Sequence, residues 1–542
     1  MAGFLQVMIL SVYDWVIIAF YLFMLLGLAA YLSRSQKSLK DYFLGGNRMG
    51  PVKIAISVMA TQCSTNSILG APAFVAFAAS GGLIWLQYEL AVPLAMIFIM
   101  LIMFPIFLNL KIISVYEYLE NRFDLKTRLL LSGLFQFVRV FATAVTVYSL
   151  AIIIELITGL SFFWSVMLLG IITVVYDTLG GIRAIVYSDV IQMAILVTVL
   201  LGLLLYLIDI CGGVSEMFYN VSEERLTTIN WRDHGFGDGQ DFALWPMLFG
   251  GLFLYISYYG CDQSQVQREL CVRNQKDAQT VFFINGLARF PLVLLYCFVG
   301  LGISAYASLN PEFLSTLPST GNGPNFNLAV PTFFIENLPV GIVGLSLVAL
   351  FAAAMSSLDS VINSLSATTM EDFIKRHPKG KKWLLHREIL ISRSLTAFWG
   401  LLALAMSFFV DDIATTVLVA INKIGSLVNG PVLGVFMLGL LTKRSNGSGA
   451  CTGLLFGFFI NIILWLYFPL ISWLWWNVIG FGVTCIIGRL TSSWFDSKTF
   501  ATEYTWSLSK MKKLGINENE YWRYYILLVW FILIFFYLFL GV

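Results

Sequence analysis

Residues 353–363 read Ala-Ala-Met-Ser-Ser-Leu-Asp-Ser-Val-Ile-Asn and lie within an apolar run long enough to cross a membrane. On a helix, Ser356, Asp359, Ser360 and Asn363 share one face. A carboxylate at bilayer depth costs about 2.5–3.5 kcal/mol, so it is expected to have a partner. Hydroxyls beside a carboxylate are the oxygen ligands that hard cations such as Na⁺ take. The stretch favours an ion site, and a hydrogen-bonded seam between helices is the alternative.

The composition is that of a polytopic membrane protein. Of the 542 residues, 58% are hydrophobic and 12% are charged, against about 25% charged in an ordinary soluble domain. The lipid bilayer is therefore the expected surrounding. A net charge of +2 gives no indication of a nucleic-acid partner. The seven cysteines show neither metal-ligand spacing nor a disulfide framework, and the sequence leaves the oligomeric state open.

Apolar segments recur along the chain and predict an all-α fold with about fourteen transmembrane helices. They are centred near residues 22, 63, 95, 143, 169, 196, 255, 291, 350, 398, 425, 458, 480 and 532. Basic connecting segments, among them 109–128 and the one holding Arg268, alternate with acidic or neutral ones such as 209–241. Basic loops face the cytoplasm. We therefore expect a multi-pass protein of the plasma (inner) membrane with both termini outside the cytoplasm.

Two of the predicted spans are unusually polar for their depth. One covers Ser57 to Ser67, and the other covers Tyr255 to Gln265. They are an odd number of spans apart, so they run in opposite directions. This pattern is typical of an inverted repeat in which a broken helix opens each half and frees backbone carbonyls near the midplane. A kinked structural helix is the alternative interpretation.

Several motifs in order resemble the sodium/solute symporter family, which contains sodium-coupled glucose, monocarboxylate, multivitamin, iodide and sialic-acid transporters. The best matches are Asp41 to Gly46, Val115 to Phe123, Leu179 to Gln192, Gln263 to Arg268, and 353–372. The resemblance implies a LeuT-type core of two inverted five-helix repeats. The implied organisation is an additional N-terminal helix at 1–33, a core at 50–440 with halves at 50–208 and 242–440, two further helices at 448–490, a cytoplasmic loop at 491–522 and a C-terminal helix at 523–542.

The resemblance also implies where Na⁺ binds. The family's main Na⁺ site maps onto the carbonyls of Ala60, Cys63 and Ala353 and the hydroxyls of Ser356 and Ser357. A second site, which some members carry, maps onto Asp189, Ser356, Asp359 and Ser360. Asp359 replaces the usual serine, so it either strengthens a second Na⁺ site or admits a proton. For Asp189, a salt bridge with Arg183 is the alternative.

The solute positions of the family's sugar transporters map onto Ser67, Glu89, Arg289 and Asn422. In the sialic-acid branch, the arginine that holds a carboxylate maps onto Ala142, and Arg139 lies one turn away on the same face. Ser64 is a further candidate because it is a small hydrogen-bonding residue near the helix break. The family's inner aromatic gate maps onto Tyr258. Arginine binds carboxylates in bidentate fashion, which favours an anionic solute. A pair between Glu89 and Arg289 would instead leave a neutral polar pocket. Arg139 has its own alternative, a structural role in which it snorkels to the interface or pairs with Glu155 or another acid.

These observations predict a Na⁺-coupled secondary active symporter that works by alternating access. The expected solute is a small polar organic molecule, leaning to an anion of the sialic acid or monocarboxylate type. A Na⁺/sugar or Na⁺/polyol symporter is the alternative within this class. A membrane-embedded solute sensor or a channel is the alternative of another class, although no repeated filter loop is visible. An enzyme is not expected, because the histidines lie in predicted loops and no nucleophile constellation is apparent.

Overall fold

The computed structural model describes residues 10–320, 323–377, 387–410, 417–494, 502–507 and 520–541, and the regular structure in these ranges is almost entirely helical. The one hairpin pairs β1 (Ser319–Thr320) with β2 (Gly323–Pro324). The expectation of an all-α protein is thus confirmed. The main helices of the described residues are α1 Val12–Ser33, α2 Pro51–Gln62, α3 Thr65–Phe77, α4 Leu83–Leu110, α5 Leu125–Thr158, α6 Phe162–Ile210, α7 Gly251–Cys261, α8 Gln263–Glu269, α9 Gln275–Leu309, α10 Ile342–Ile374, α11 Glu388–Ser407, α12 Val417–Leu441, α13 Gly447–Tyr467, α14 Trp475–Thr491 and α15 Trp522–Leu540.

Ten helices in the described part of the chain are long and apolar enough to cross a membrane. The count of about fourteen spans is not confirmed by this and remains a prediction. The difference arises where predicted spans fall on helices that are split, merged or short. Those near 63 and 255 fall on the split pairs α2–α3 and α7–α8. Those near 169 and 196 share the 49 residues of α6, and the one near 480 falls on the 17 residues of α14.

Helix α6 bends at Gly181, where φ is +55° and ψ is −169°. Side chains other than glycine rarely adopt this backbone conformation. There is also no space for one, since a Cβ at this position would lie 2.8 Å from the carbonyl oxygen of Tyr42. The bend therefore depends on a glycine and divides α6 into two arms, either of which is long enough to cross a bilayer.

Helix α10 is the most deeply buried of the ten long helices in the described part of the chain. In its most apolar stretch of 18 residues, 83% of the residues are buried, whereas the corresponding share in α1 is 22%. The N-terminal end is held by Asp14 of α1, whose Oδ1 accepts hydrogen bonds from the backbone N–H groups of Gly341 and Gly344 at 2.9 and 2.7 Å. These donors belong to the first turn and have no partner within the helix, so the carboxylate satisfies them.

The C-terminal end of α10 is held by a buried ion pair. The Nε of Arg128 donates to Asp372 Oδ1 at 2.8 Å, and the hydroxyls of Ser114 and Ser132 donate to Asp372 Oδ2 at 2.9 and 2.6 Å. Arg128 therefore does not lie in a basic loop, as the charge pattern had indicated, but inside α5. A charge that is paired and hydrogen-bonded in this way can stay buried. With both ends held, the middle of α10 has a fixed position.

Candidate functional site

The break between α2 and α3 exposes backbone carbonyls beside α10. Cys63 follows the last residue of α2 with φ −79° and ψ 66°, outside the helical range, and Ser64 then precedes α3 in an extended conformation. The last carbonyls of a helix have no partner within it. Those of Ala60 and Thr61 are therefore free to bind groups on a neighbouring helix.

The hydroxyls of two serines of α10 donate hydrogen bonds to these carbonyls. Ser356 Oγ donates to the carbonyl of Ala60 at 3.0 Å, and Ser357 Oγ donates to that of Thr61 at 3.0 Å. Each hydroxyl also lies near the carbonyl of Ala353, at 3.1 and 3.3 Å. Four of the five residues predicted for the main Na⁺ site thus come together, and Thr61 joins them. The fifth, Cys63, is buried at the end of α2.

Three of the four residues predicted for a second Na⁺ site, Asp189, Asp359 and Ser360, lie beside a buried guanidinium group. The hydroxyl of the fourth, Ser356, bonds backbone carbonyls instead. Arg268 of α8 places Nε 3.5 Å from Asp189 Oδ2 and Nη2 3.9 Å from Asp359 Oδ1. It also donates to the hydroxyl of Ser57 at 2.9 Å and to that of Ser360. Asp189 Oδ1 and Asp359 Oδ2 are buried and have no hydrogen-bond partner among the described residues. Asp189, Asp359 and the guanidinium of Arg268 therefore share this region.

Arg268 corrects two sequence interpretations. The alternative pairing of Asp189 with Arg183 is wrong, because Asp189 lies beside Arg268 while Arg183 donates to Ser35 at 3.0 Å. The assignment of Arg268 to a basic loop is also wrong, since its side chain is buried in α8. The acids that compensate its charge lie on α6 and α10, so no local pattern in the sequence could identify them.

A cavity of about 310 Å³ lies beside the serine pair of α10. Its wall includes five of the seven predicted solute residues, Ser64, Ser67, Arg139, Tyr258 and Arg289. Ser357 and Thr61 also line the cavity, so the candidate Na⁺ ligands and the candidate solute residues share one wall. The volume lies at the lower end of the range for small-molecule sites.

Glu89 and Arg289 form an ion pair, as one of the alternatives expected. Arg289 Nε donates to Glu89 Oε2 at 3.1 Å, and the hydroxyl of Tyr255 donates to Glu89 Oε1 at 3.1 Å. Arg289 Nη1 also donates to Gln62 Oε1 at 2.6 Å, and Tyr259 donates to the same oxygen. Glu89 has a fully buried side chain. Glu89 and Gln62 therefore hold Arg289 directly, and Tyr255 and Tyr259 hold these two side chains in turn.

Arg139 is paired with an acid other than Glu155. Its Nε and Nη2 both donate to Asp262 Oδ2, the former at 2.7 Å, and its guanidinium carbon lies 5.3 Å from the centre of the Tyr258 ring. Asp262 Oδ1 accepts from the backbone N–H of Ser264 at 2.8 Å at the start of α8. Both Arg139 and Asp262 line the cavity.

Three predicted solute positions need separate mention. Ser64 precedes the first turn of α3, and the hydroxyl of Ser67 donates to the carbonyl of Gln62 at 3.3 Å. The side chain of Asn422 lies outside the described residues. The sequence reasoning missed Gln62 and Asp262 as site residues. Both lie in the two polar spans that it had singled out, so their positions at the helix breaks were the available signal.

Comparison with known proteins yields a family and a fold. The family model described as "Sodium:solute symporter family" matches residues 42–457. The sodium/sialic acid symporter NanT of Aliivibrio fischeri is 29% identical over 492 residues, which cover 89% of this chain and 93% of that protein. The sodium-coupled monocarboxylate transporter 1 of Homo sapiens is 29% identical over 439 residues, or 80% of this chain and 69% of that one.

Two solved structures are also similar. A Na⁺-coupled sialic acid symporter, in a substrate-bound outward-open state, has a TM-score of 0.78 at 26% identity, with 90% of this chain and 99% of that chain covered. Mhp1, a nucleobase-cation-symport-1 family transporter, has a TM-score of 0.55 at 12% identity, with 87% and 98% covered. At that identity, the likeness to Mhp1 concerns the fold alone.

Proposed function

The chain belongs to the sodium:solute symporter family, and on that premise we propose that it imports a small organic anion together with Na⁺ by alternating access. Na⁺ is the coupling ion and a small solute is the other transported partner. The observation that carries the proposal is the shared wall at Ser357 and Thr61, because the candidate Na⁺ ligands border the cavity that would hold the solute. The anion class follows from the guanidinium groups of Arg139 and Arg289 in that wall and from the sialic acid and monocarboxylate relatives.

For the main Na⁺ site we propose the carbonyls of Ala60, Cys63 and Ala353 with the hydroxyls of Ser356 and Ser357. The hydroxyls already contact carbonyls of the opposite helix. On Na⁺ binding, both kinds of oxygen would turn toward the ion, so the ion would hold α2 and α10 together. Neutral oxygen ligands bind Na⁺ weakly enough to release it where its concentration is low. Coupling is reciprocal, so solute must raise Na⁺ affinity as much as Na⁺ raises solute affinity.

For a second cation we propose Asp189, Ser356, Asp359 and Ser360. The support is the pair of carboxylate oxygens that are buried without hydrogen-bond partners among the described residues. Arg268 already supplies one positive charge there, so a second Na⁺ competes with this guanidinium for the two acids.

For the solute we propose contacts with Ser64, Ser67, Arg139, Tyr258 and Arg289, and Asn422 is a further predicted contact. Glu89 acts indirectly, because it accepts a hydrogen bond from Arg289 and so orients it. A specific observation also favours the second candidate, a Na⁺/sugar or Na⁺/polyol symporter. Each arginine in the cavity wall is paired with an acid, so the positive charges of the wall are balanced. A neutral polar solute would leave both pairs intact.

The membrane arrangement is also a proposal. We propose about fourteen crossings, with the two arms of α6, the split helices and α14 supplying those beyond the ten long helices. The core would then cover 50–440, as two inverted halves at 50–208 and 242–440, with further helices at 1–33, 448–490 and 523–542 and a cytoplasmic loop at 491–522. We place the protein in the plasma (inner) membrane with both termini outside the cytoplasm. Reporter fusions at each terminus test the sidedness.

Solute binding to the purified protein, with Na⁺ or with choline, tests the function. The panel is sialic acid, lactate, glucose and inositol. Na⁺-dependent binding of an acid that is lost in Arg139→Ala or Arg289→Ala supports the anion symporter. Na⁺-dependent binding of a neutral solute that is lost in Glu89→Ala supports the alternative instead. Binding that is equal in Na⁺ and in choline contradicts Na⁺ symport altogether.

A further inference from the structure

The Arg139–Asp262 ion pair differs from the Arg289–Glu89 pair in how accessible it is. Asp262 lines the cavity with 12% of its side chain exposed, and Arg139 has 21% of its side chain exposed. Glu89 has none of its side chain exposed and is tied to Tyr255 as well. A solute in the cavity can therefore reach the first pair directly.

The carboxylate of Asp262 binds the guanidinium of Arg139 in the way that a solute carboxylate would. A guanidinium presents its N–H groups as a planar fork that fits a carboxylate in bidentate fashion. In this structure, Nε and Nη2 of Arg139 both donate to one oxygen of Asp262. An anionic solute that binds Arg139 through these two groups must first displace that oxygen.

Displacement leaves Asp262 with partners of its own. The other carboxylate oxygen, Oδ1, accepts from the backbone N–H and the hydroxyl of Ser264, at 2.8 and 2.5 Å. These bonds do not involve Arg139. An unpaired carboxylate without any hydrogen bond would be costly, but Asp262 keeps two bonds and remains partly exposed to the cavity. The exchange of partners at Arg139 is thus feasible without a rearrangement of α8.

We propose that Asp262 is a specificity-determining residue, which holds Arg139 in the empty cavity and yields it to the carboxylate of an anionic solute. The inference rests on the proposed anion symport and names the residue with which the anion competes. A neutral solute has no charge to offer Arg139, so it does not displace Asp262. The competition sets a threshold that an acid passes and that an uncharged analogue of the same shape does not.

The position of Asp262 connects this exchange of partners at Arg139 with the candidate Na⁺ sites. Asp262 lies at the break between α7 and α8. Helix α8 packs against α2 and α10, the two helices that carry the candidate Na⁺ ligands, and it also holds Arg268. When Asp262 is released from Arg139, the break between α7 and α8 loses its ion pair with α5. Anion binding thereby changes the support of a helix that contacts both elements of the Na⁺ site.

The test compares acids with their uncharged esters in Asp262→Asn. Asparagine keeps an acceptor for the Ser264 N–H and is a good residue for a helix start, but it removes the charge that competes for Arg139. The probes are sialic acid and lactate, each with its methyl ester, titrated into purified protein in Na⁺. We expect Asp262→Asn to bind the acid more tightly by at least about tenfold, the order of one charge-assisted hydrogen bond, and to bind the ester as the wild type does. Arg139→Gln should abolish the preference for the acid over the ester.

The outcomes separate this inference from the function on which it rests. If the wild type binds an acid with Na⁺ but Asp262→Asn binds it equally or more weakly, Asp262 is a structural partner and the inference is wrong. If the wild type binds only uncharged probes with Na⁺, the inference also fails, although Na⁺ symport stands. If a folded protein binds no probe in a Na⁺-dependent manner, the proposed function fails as well. Asp262→Ser, which retains a helix-capping hydroxyl, replaces Asp262→Asn should that variant not fold.

Discussion

Substitution of Ser357 by alanine should weaken Na⁺ binding without a comparable effect on folding. The hydroxyl of Ser357 donates to the carbonyls of Thr61 and Ala353 at 3.0 and 3.3 Å. In the empty protein this is a hydrogen bond between neutral groups, worth about 1 kcal/mol net. With Na⁺ present, the same oxygen contacts a full charge, and the scale of such a contact is taken from hydrogen bonds to charged groups, which are worth about 1.5–3 kcal/mol. The difference that Ser357→Ala removes from Na⁺ binding is therefore about 0.5–2 kcal/mol, or roughly a two- to thirtyfold rise in half-saturating Na⁺.

The assay is the rise in melting temperature as Na⁺ replaces choline at constant ionic strength. A ligand that binds only the folded state stabilises it in proportion to the logarithm of its concentration over its dissociation constant, and no solute has to be known. Ser366→Ala is the matched control. Its hydroxyl also donates across helices, to the carbonyl of Ser392 at 2.9 Å, but it lies outside the candidate site. The control should lose a similar amount of stability and keep the wild-type Na⁺ titration. An unchanged Na⁺ titration in Ser357→Ala, or an equal shift in both variants, would refute the assignment of Ser357 as a ligand.

Three further predictions concern the supporting structure, each read from the melting temperature and the Na⁺ titration. Glu89→Gln should lose about 3–5 kcal/mol of stability, because it leaves Arg289 buried without its acid. The double variant Glu89→Gln/Arg289→Gln should recover part of this loss. Full stability in the single variant would contradict the pairing. Gly181→Ala should cost about 1–3 kcal/mol, because its backbone is left-handed, whereas Gly202→Ala, where a Cβ has no neighbour within 4 Å, should be neutral or stabilising. Asp372→Asn should lower stability and leave half-saturating Na⁺ unchanged; a shifted Na⁺ titration would mean that the end of α10 takes part in binding.

The helix breaks could be predicted from the sequence because their signal is local. The polar stretch around Cys63 and the one around Asp262 interrupt apolar segments, and the structure interrupts its helices at both places. The contacts between Ser356, Ser357 and the first broken helix followed from the family resemblance, and in the structure these serines bond the carbonyls of that helix. Local pattern and resemblance thus sufficed for the neighbourhood of the candidate Na⁺ site.

The charged residues could not be placed in the same way. The alternation of basic and acidic connecting segments predicts loop positions for Arg128 and Arg268. Both are buried. The acids beside Arg268 are far away in the sequence, whereas Arg128 pairs with the distant Asp372 and also with Glu120, which precedes it by eight residues. Burial of a guanidinium is acceptable only when the acid is in place. The long-range pairs are a property of the packed bundle, and the sequence contains no local trace of them.

The buried ion pairs bear directly on how such a protein can be both stable and ready to bind charged partners. An empty anion site with an unpaired guanidinium, or an empty cation site with unpaired carboxylates, would pay a large desolvation cost. In this chain Asp262 accompanies Arg139 at the cavity, and Arg268 accompanies Asp189 and Asp359 at the second proposed cation position. Each partner lowers that cost in the empty state and must then be displaced or shared when an ion arrives. Because Asp262 and Arg268 lie at the beginning and near the end of the same short helix α8, displacement at one end acts on the element that carries the other. The proposed coupling between solute and ion thus has a route through α8 in addition to the cavity wall that their candidate residues share.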